Sequence, residues 1–172
     1  MGEDLAREVA RRGASLERHP VRKDKMDGHL AVLAARERGA TAADLLCAVG
    51  GRLGAIFAVM QILLAAERIG LRSTVMADRG RMFVIEEGSR TVEGAPQDSI
   101  SIFPLTGPAA SVTLEGMEYP LENAGLEPGD TLGFHNELLG REARVSVGEG
   151  ALLVVHETEA WIYGRPPGHA LG

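Results

Sequence analysis

The tripeptide Gly50-Gly51-Arg52 lies between the apolar run at residues 45–49 and a strongly periodic pattern that begins at Leu53. A strand that turns through glycines into a helix leaves backbone N–H groups free at the positive end of the helix dipole. The glycines also let an anion come close to the chain. Arg52 adds a forked, permanently charged donor suited to phosphate oxygens. The lysine–hydroxyl pair of a Walker loop is missing, so any phosphate contact here is of another kind. Upstream, Lys23-Asp24-Lys25-Met26-Asp27 forms a polar approach to a helix, with Asp27 expected as its N-cap. A second concentration of signals fills residues 111–140. Gly116, Pro120, Asn123, Gly125, Pro128, Gly129 and Gly133 punctuate short apolar pieces there. Such spacing predicts a tightly folded binding loop spanning two strands and presenting carbonyls, an amide and a carboxylate.

The elements that must hold these groups change character along the chain. Residues 3–12 read as a helix with an acidic start and a basic end, stopped by Gly13, and residues 15–18 as a brief strand. A helix over 27–38 ends at Gly39, and a buried strand follows at 44–49. The pattern from 53 to 68 places Ile56, Val59, Met60, Leu63 and Leu64 on one helical face. Gly70 ends that helix and a strand resumes at 73–76. Alternating strands and helices predict a partial, three-layer, Rossmann-like α/β domain. After Asp78-Arg79-Gly80 the helical period disappears. Short strands are expected at 82–85, 89–92, 99–105, 111–114, 143–147 and 151–156, with Gly148-Glu149-Gly150 as the hairpin turn between the last two. These predict an antiparallel β-sandwich or barrel. The expected division is therefore 1–79 as the partial α/β part, 80–157 as the β part, and 158–172 as a tail in which Trp161 and Tyr163 could dock.

Composition narrows the class of function. The chain has 172 residues, 45% of them apolar and 24% charged, with a formal net charge of −6. An acidic chain without a basic run offers no nucleic-acid surface. No stretch has the roughly 18 uninterrupted apolar residues of a membrane helix. The single cysteine, Cys47, excludes an internal disulfide and fits a reducing cytoplasm. Its place in an apolar run predicts a buried, structural thiol. The histidines show no metal-ligand spacing.

The ordered set Val112-Thr113, Glu115-Gly116, Tyr119-Pro120-Leu121, Asn123, Leu126, Gly129, Thr131, Gly133 and Asn136-Glu137 closely resembles a family signature. That signature is V-T-x-G-L-K-Y-P-L-E-N-A-x-L-x-x-G-x-T-R-G-x-S-N-E, from the C-terminal domain of the thiamine pyrophosphokinases. The resemblance reaches back to the family segments K-D-K-x-T-D-x-x-L-A and G-G-R-x-D-H, matched by Lys23–Asp27 with Leu30-Ala31 and by Gly50-Gly51-Arg52-Leu53. It implies transfer of a diphosphoryl group from ATP to thiamine, leaving AMP. Asp27 would hold Mg2+, Gly50, Gly51 and Arg52 would touch the ATP phosphates, and His135 and Asn136 would contact thiamine. It also implies a homodimer with each vitamin site shared between subunits. Leu132 stands where the family has arginine, His135 where it has serine, and Met26 where it has threonine. Gly54 and Ala55 replace the aspartate and histidine after G-G-R-x. The family's G-D-x-D-S motif has no counterpart and the first strands of the usual α/β domain are missing, so either the true start lies upstream of Met1 or this is a naturally shortened relative. The alternatives are a non-catalytic thiamine- or nucleotide-binding relative, or a dimerising structural fragment.

Overall fold

The computed structural model describes residues 3–20, 24–49 and 53–158. Gly50, Gly51, Arg52, Trp161 and Tyr163 lie outside the described residues. The first helix, α1, covers Glu3–Arg11, with Glu3 and Asp4 in its first turn and Arg11 in its last. Gly13 follows it at φ 89°. The brief strand expected at 15–18 does not form; residues 14–20 have no regular structure. Glu17 there is paired with Arg38 at the end of the next helix, so that segment is held by a side chain rather than by a ladder.

Helix α2 covers Asp27–Glu37. Its N-cap position is Met26, without a side-chain cap, and Asp27 is the first helical residue. This corrects the expected cap: the Asp27 carboxylate lies within the first turn, where it meets the helix dipole rather than closing the end. Strand β1, Ala42–Leu46, is shorter than expected and alternates in exposure. Among the described residues it pairs with β2 alone, so the expectation of a fully buried strand fails. Cys47, just beyond it, is exposed rather than buried.

Helix α3 covers Leu53–Arg68 and is closed by Gly70 at φ 73°. One strip of it, Val59, Leu63 and Leu64, packs on Val75, Val84, Ala151 and Leu153. A neighbouring strip, Ile62 and Ala66, packs with Val32 of α2 and Leu71. Ala43 and Leu45 of β1 join this second cluster, so α2 and α3 share one face of the sheet. Strand β2, Arg72–Ala77, runs parallel to β1, with Asp44 opposite Thr74.

Strands β3 (Gly80–Glu93), β4 (Ser99–Pro104), β5 (Ala109–Glu115), β6 (Leu121–Leu126), β7 (Asn136–Glu137) and β8 (Glu142–Glu157) complete a mixed, eight-stranded sheet. Its main path runs β1-β2-β3-β8-β4-β7, and β5 joins β8 to β6. The molecule is thus mostly β with three helices among the described residues. The two short strands expected at 82–85 and 89–92 are one strand, β3, with a register shift between Glu86 and Gly88. Glu87 takes φ 48° at that shift, as an extra residue in a bulge does. Likewise 143–147 and 151–156 are one strand, β8, and Gly148-Glu149-Gly150 lies inside it rather than forming a hairpin.

The sheet face away from α3 carries the larger core, with Ile85, Ile100, Ile102, Val112, Leu114, Met117, Leu126, Leu138, Val145, Leu152 and Val154 all buried. Arg68 closes the helical layer onto β3 through a forked pair with Glu86, at 2.9 Å and 3.1 Å from Nε and 2.7 Å from Nη2. Leu63 is 1% exposed beneath this layer. Leu63→Ala is expected to lower stability by about 2–5 kcal/mol, the range for a large side chain removed from a packed core. Urea unfolding would show this as a lower midpoint with an unchanged slope.

Candidate functional site

The loop between β5 and β8 is built by backbone pairing and by two glycines with no room for a side chain. Gly116 has φ 76°, and a Cβ there would stand 2.7 Å from the Glu142 carbonyl oxygen. Gly133 lies flush on β4, where a Cβ would meet Ile102 Cγ1 at 2.2 Å. The Ile102 amide donates to the Gly133 carbonyl at 2.8 Å. Between these anchors Met117 bridges Leu138, the Glu118 amide donates to the Glu137 carbonyl at 2.9 Å, and the Leu139 amide to Gly116 at 3.1 Å. Asp130 accepts the Glu127 amide at 2.8 Å and tightens the turn at Gly129.

Asn136 ties the two halves of this loop together. Its side chain is buried, and its Oδ1 accepts the Tyr119 and Glu137 amides, each at 2.9 Å. Its Nδ2 donates to the Tyr119 carbonyl at 2.7 Å. The amide therefore imitates a strand neighbour for Tyr119 and fixes where the Tyr119 ring begins. His135 is exposed at φ 56°, a conformation that histidine enters more readily than most residues. Its amide donates to Ser101 Oγ at 3.1 Å, and its Nδ1 lies 3.2 Å from Ser99 Oγ. The ring also lies beside Phe134, which in turn meets Phe103 at a centroid distance of 6.2 Å. Tyr119, Leu132 and Phe134 leave 65%, 61% and 59% of their surface exposed, so the loop offers aromatic and apolar area alongside the exposed carboxylates of Glu118, Glu122, Glu127 and Asp130. Sequence reasoning found His135 and Asn136 but passed over Tyr119 and Phe134 as contact surface. An exposed aromatic beside a proline or a glycine was the available signal.

A second site lies at the other end of the sheet. A cleft of about 480 Å3 opens beside the C-terminal end of β1, lined by Asp24, Lys25, Asp27, Gly28, Cys47 and Val59 among others. Clefts at the carboxyl ends of strands are where open α/β sheets bind ligands. Asp24 and Asp27 bring two carboxylates to one cavity, but none of its lining comes from the 116–139 loop. Gly50, Gly51 and Arg52 lie outside the described residues, so the structure does not test their expected phosphate contact. Gly54 has open space around it, and neither it nor Ala55 carries a donor atom for a metal. Among the described residues no group of three or more histidine, cysteine, aspartate or glutamate side chains is placed to hold a metal.

Removing the Asn136 amide takes the partner from the part-buried Tyr119 and Glu137 backbone groups. Asn136→Ala is expected to cost about 1–3 kcal/mol, the desolvation cost of such groups. Amide hydrogen exchange would show the loss as faster exchange at residues 117–121, ahead of the β3–β8 ladder.

Comparison with known proteins agrees with this geometry. The family model described as thiamin pyrophosphokinase, vitamin B1 binding domain, matches residues 90–152, which contain the whole loop. Thiamine pyrophosphokinase from Bacillus subtilis (strain 168) is 23% identical over 158 residues, covering 91% of this chain and 74% of that protein. The crystal structure of the Bacillus subtilis enzyme superposes with a TM-score of 0.80 at 23% identity, covering 92% of this chain and 75% of the other. The thiamin pyrophosphokinase structure from Geobacillus thermodenitrificans gives 0.75 at 27% identity, covering 92% and 74%. The matched vitamin-binding segment and the fold shared with these structures make this chain similar to the thiamine pyrophosphokinases.

Proposed function

We propose that the chain is a thiamine diphosphokinase, transferring a diphosphoryl group from ATP to the hydroxyethyl arm of thiamine to give thiamine diphosphate and AMP. The observation that carries this is the coincidence of the vitamin B1 binding match at 90–152 with a pre-organised loop whose aromatic surface is fixed by Asn136. A flat aromatic cation such as thiamine suits exposed Tyr119 and Phe134 faces, since ring faces attract cations. Asn136 acts chiefly by holding Tyr119 in place, and His135 offers a ring nitrogen at the same surface.

The cleft at the end of β1 is the nucleotide side of this proposal. Its donors fit a magnesium–triphosphate, because Mg2+ is commonly held by one or two carboxylates with phosphate oxygens and water completing the shell. Asp27 and its neighbour Asp24 would hold the ion, and Gly50, Gly51 and Arg52 would receive the phosphates. When bound, the metal would neutralise charge on the transferred group, and the chain's own contribution is positioning. The finer architecture belongs to the same proposal: residues 1–79 as part of a Rossmann-like three-layer domain, 80–157 as the vitamin-binding part, and 158–172 as a tail. A cytoplasmic homodimer that brings the cleft of one subunit to the loop of its partner would join the two halves of the site. No described helix is long and apolar enough to cross a membrane.

Gly54 and Ala55 favour a second reading, a binding protein without turnover, because neither supplies a ligand or a base. One assay separates the two. Purified chain with ATP and Mg2+ is expected to release AMP only when thiamine is added, and Asp27→Asn to lower that rate. The loss should be at least about 10–100-fold, the effect of removing even an outer-shell partner of a metal ligand. Calorimetric binding of thiamine without AMP release would establish the second reading. Neither binding nor release would overturn both.

A further inference from the structure

Behind the thiamine loop lies a buried polar cluster that the proposed reaction does not use. Asp98 and His156 are 8% and 3% exposed. His156 belongs to β8, opposite Arg81 of β3 and Ile100 of β4. Its Nε2 lies 2.9 Å from Asp98 Oδ2, and its Nδ1 lies 3.0 Å from Arg81 Nε. A guanidinium can only donate, so Nδ1 must carry a lone pair and the single ring proton sits on Nε2. The contacts thereby assign His156 as neutral, donating to Asp98 and accepting from Arg81.

The cluster is wired to the loop through the turn before β4. Asp98 Oδ2 also accepts the Ala95 amide at 2.8 Å, and Arg81 donates to the Glu93 carbonyl. From that turn the Gln97 amide donates to the Leu138 carbonyl at 2.9 Å, the Asp98 carbonyl accepts the Leu138 amide at 3.0 Å, and the Gly94 amide donates to Arg141 at 3.0 Å. Leu138 is two residues from Asn136. Gly94 permits this closeness, since a Cβ there would stand 2.6 Å from both Asp98 Oδ2 and Leu138 Cδ1.

We propose that Arg81, His156 and Asp98 are positioning residues for the loop that holds the vitamin, and that protonation of His156 releases them. A proton added at Nδ1 would face the Arg81 N–H with a second donor, so that hydrogen bond breaks and two cations are set against each other. Arg81 from β3 and Asp98 from the 94–98 turn are the charged groups that meet the ring among the described residues. Glu157, next along β8, falls on the opposite face. Burial, aided by Arg81, holds His156 below the ordinary imidazole value, although Asp98 pulls the other way. Asp98 stays ionised below the usual carboxylate range: burial opposes this, but the Ala95 amide, Thr158 and His156 outweigh it. A depressed histidine value means that the neutral ring's stabilisation is complete above about pH 6.5 and is lost as pH falls from there toward the folded-state value.

The link to thiamine rests on the function proposed above, whereas the latch itself does not. Hydrogen exchange of residues 94–98 and 117–139, corrected for intrinsic rates, therefore tests it without ligand, in the full chain from pH 7.5 to 5.5. Wild-type protection is expected to fall roughly tenfold on acidification, the loss that accompanies one hydrogen bond to a charged group. His156→Gln, which cannot titrate, should abolish that step, and Asp98→Asn should loosen the same segments already at pH 7.5. Thiamine affinity by calorimetry should weaken with the same pH step in wild type and not in His156→Gln. Four results would overturn the proposal: no pH step in wild type, the same step in His156→Gln, loosening by Asp98→Asn spread evenly over the chain, or thiamine affinity that follows pH equally in both. Should wild type bind no thiamine at any pH, the assignment of the vitamin falls and the exchange measurement still decides the latch.

Discussion

The antiparallel ladder between β3 and β8 is the constraint on which the rest of this molecule depends. It runs from Gly80 opposite Glu157 to Glu93 opposite Glu142, interrupted only at the Glu86–Gly88 shift. Because strand side chains alternate, one ladder serves two cores. Val84, Leu153 and Ala151 lie under α3, while Ile85, Val154 and Leu152 enter the β core. Neither core can shift without moving the other. That coupling sets where the helical layer, with its cleft, lies relative to the vitamin-type loop.

The ladder must also bend, since β8 pairs with β3 along its length and with β5 through Ala110–Glu149 and Thr113–Ser146. Glycines make this possible by close approach rather than by turning. A Cβ on Gly150 would meet the Pro108 carbonyl oxygen at 2.7 Å, and one on Gly148 would meet Ser111 Cβ at 2.8 Å. Glu87, in the left-handed region, supplies the matching bulge on β3. The outer end of the curved sheet is then closed by β4 and the two-residue β7, and β7 carries Asn136 to the loop. Backbone pairing, a buried amide and two glycines make the loop rigid, so its aromatic surface is set before any ligand arrives. Such preorganisation lowers the ordering cost of binding.

Much of this was legible in the chain. The period of residues 53–68 gave α3, because an apolar strip at helical spacing can be buried only against a flat partner. The turn residues of 111–140 marked the loop, because Gly116 and Gly133 occupy places no side chain can enter. What misled was the same residue type in another role. Gly148-Glu149-Gly150 carries the composition of a hairpin, and whether glycines turn a chain or let a neighbour approach depends on which strand lies beside them. Cys47 and residues 44–49 are apolar enough to suggest burial. Exposure instead follows from β1 lying at the sheet edge among the described residues, which local sequence does not encode.

Asn136 illustrates the same divide within the site. The sequence by itself determined which groups are present: an amide beside a histidine, carboxylates before a helix, glycines at the points of closest contact. Hydrophobic period and turn chemistry are local, and local order suffices to place them. Tertiary structure alone decided that the Asn136 amide is spent on Tyr119, that His156 meets Asp98 and Arg81, and that Asp27 shares its cleft with Asp24 and Cys47. Those pairings join residues as far apart as Arg81 and His156, and only the folding of the β3–β8 ladder brings them within reach.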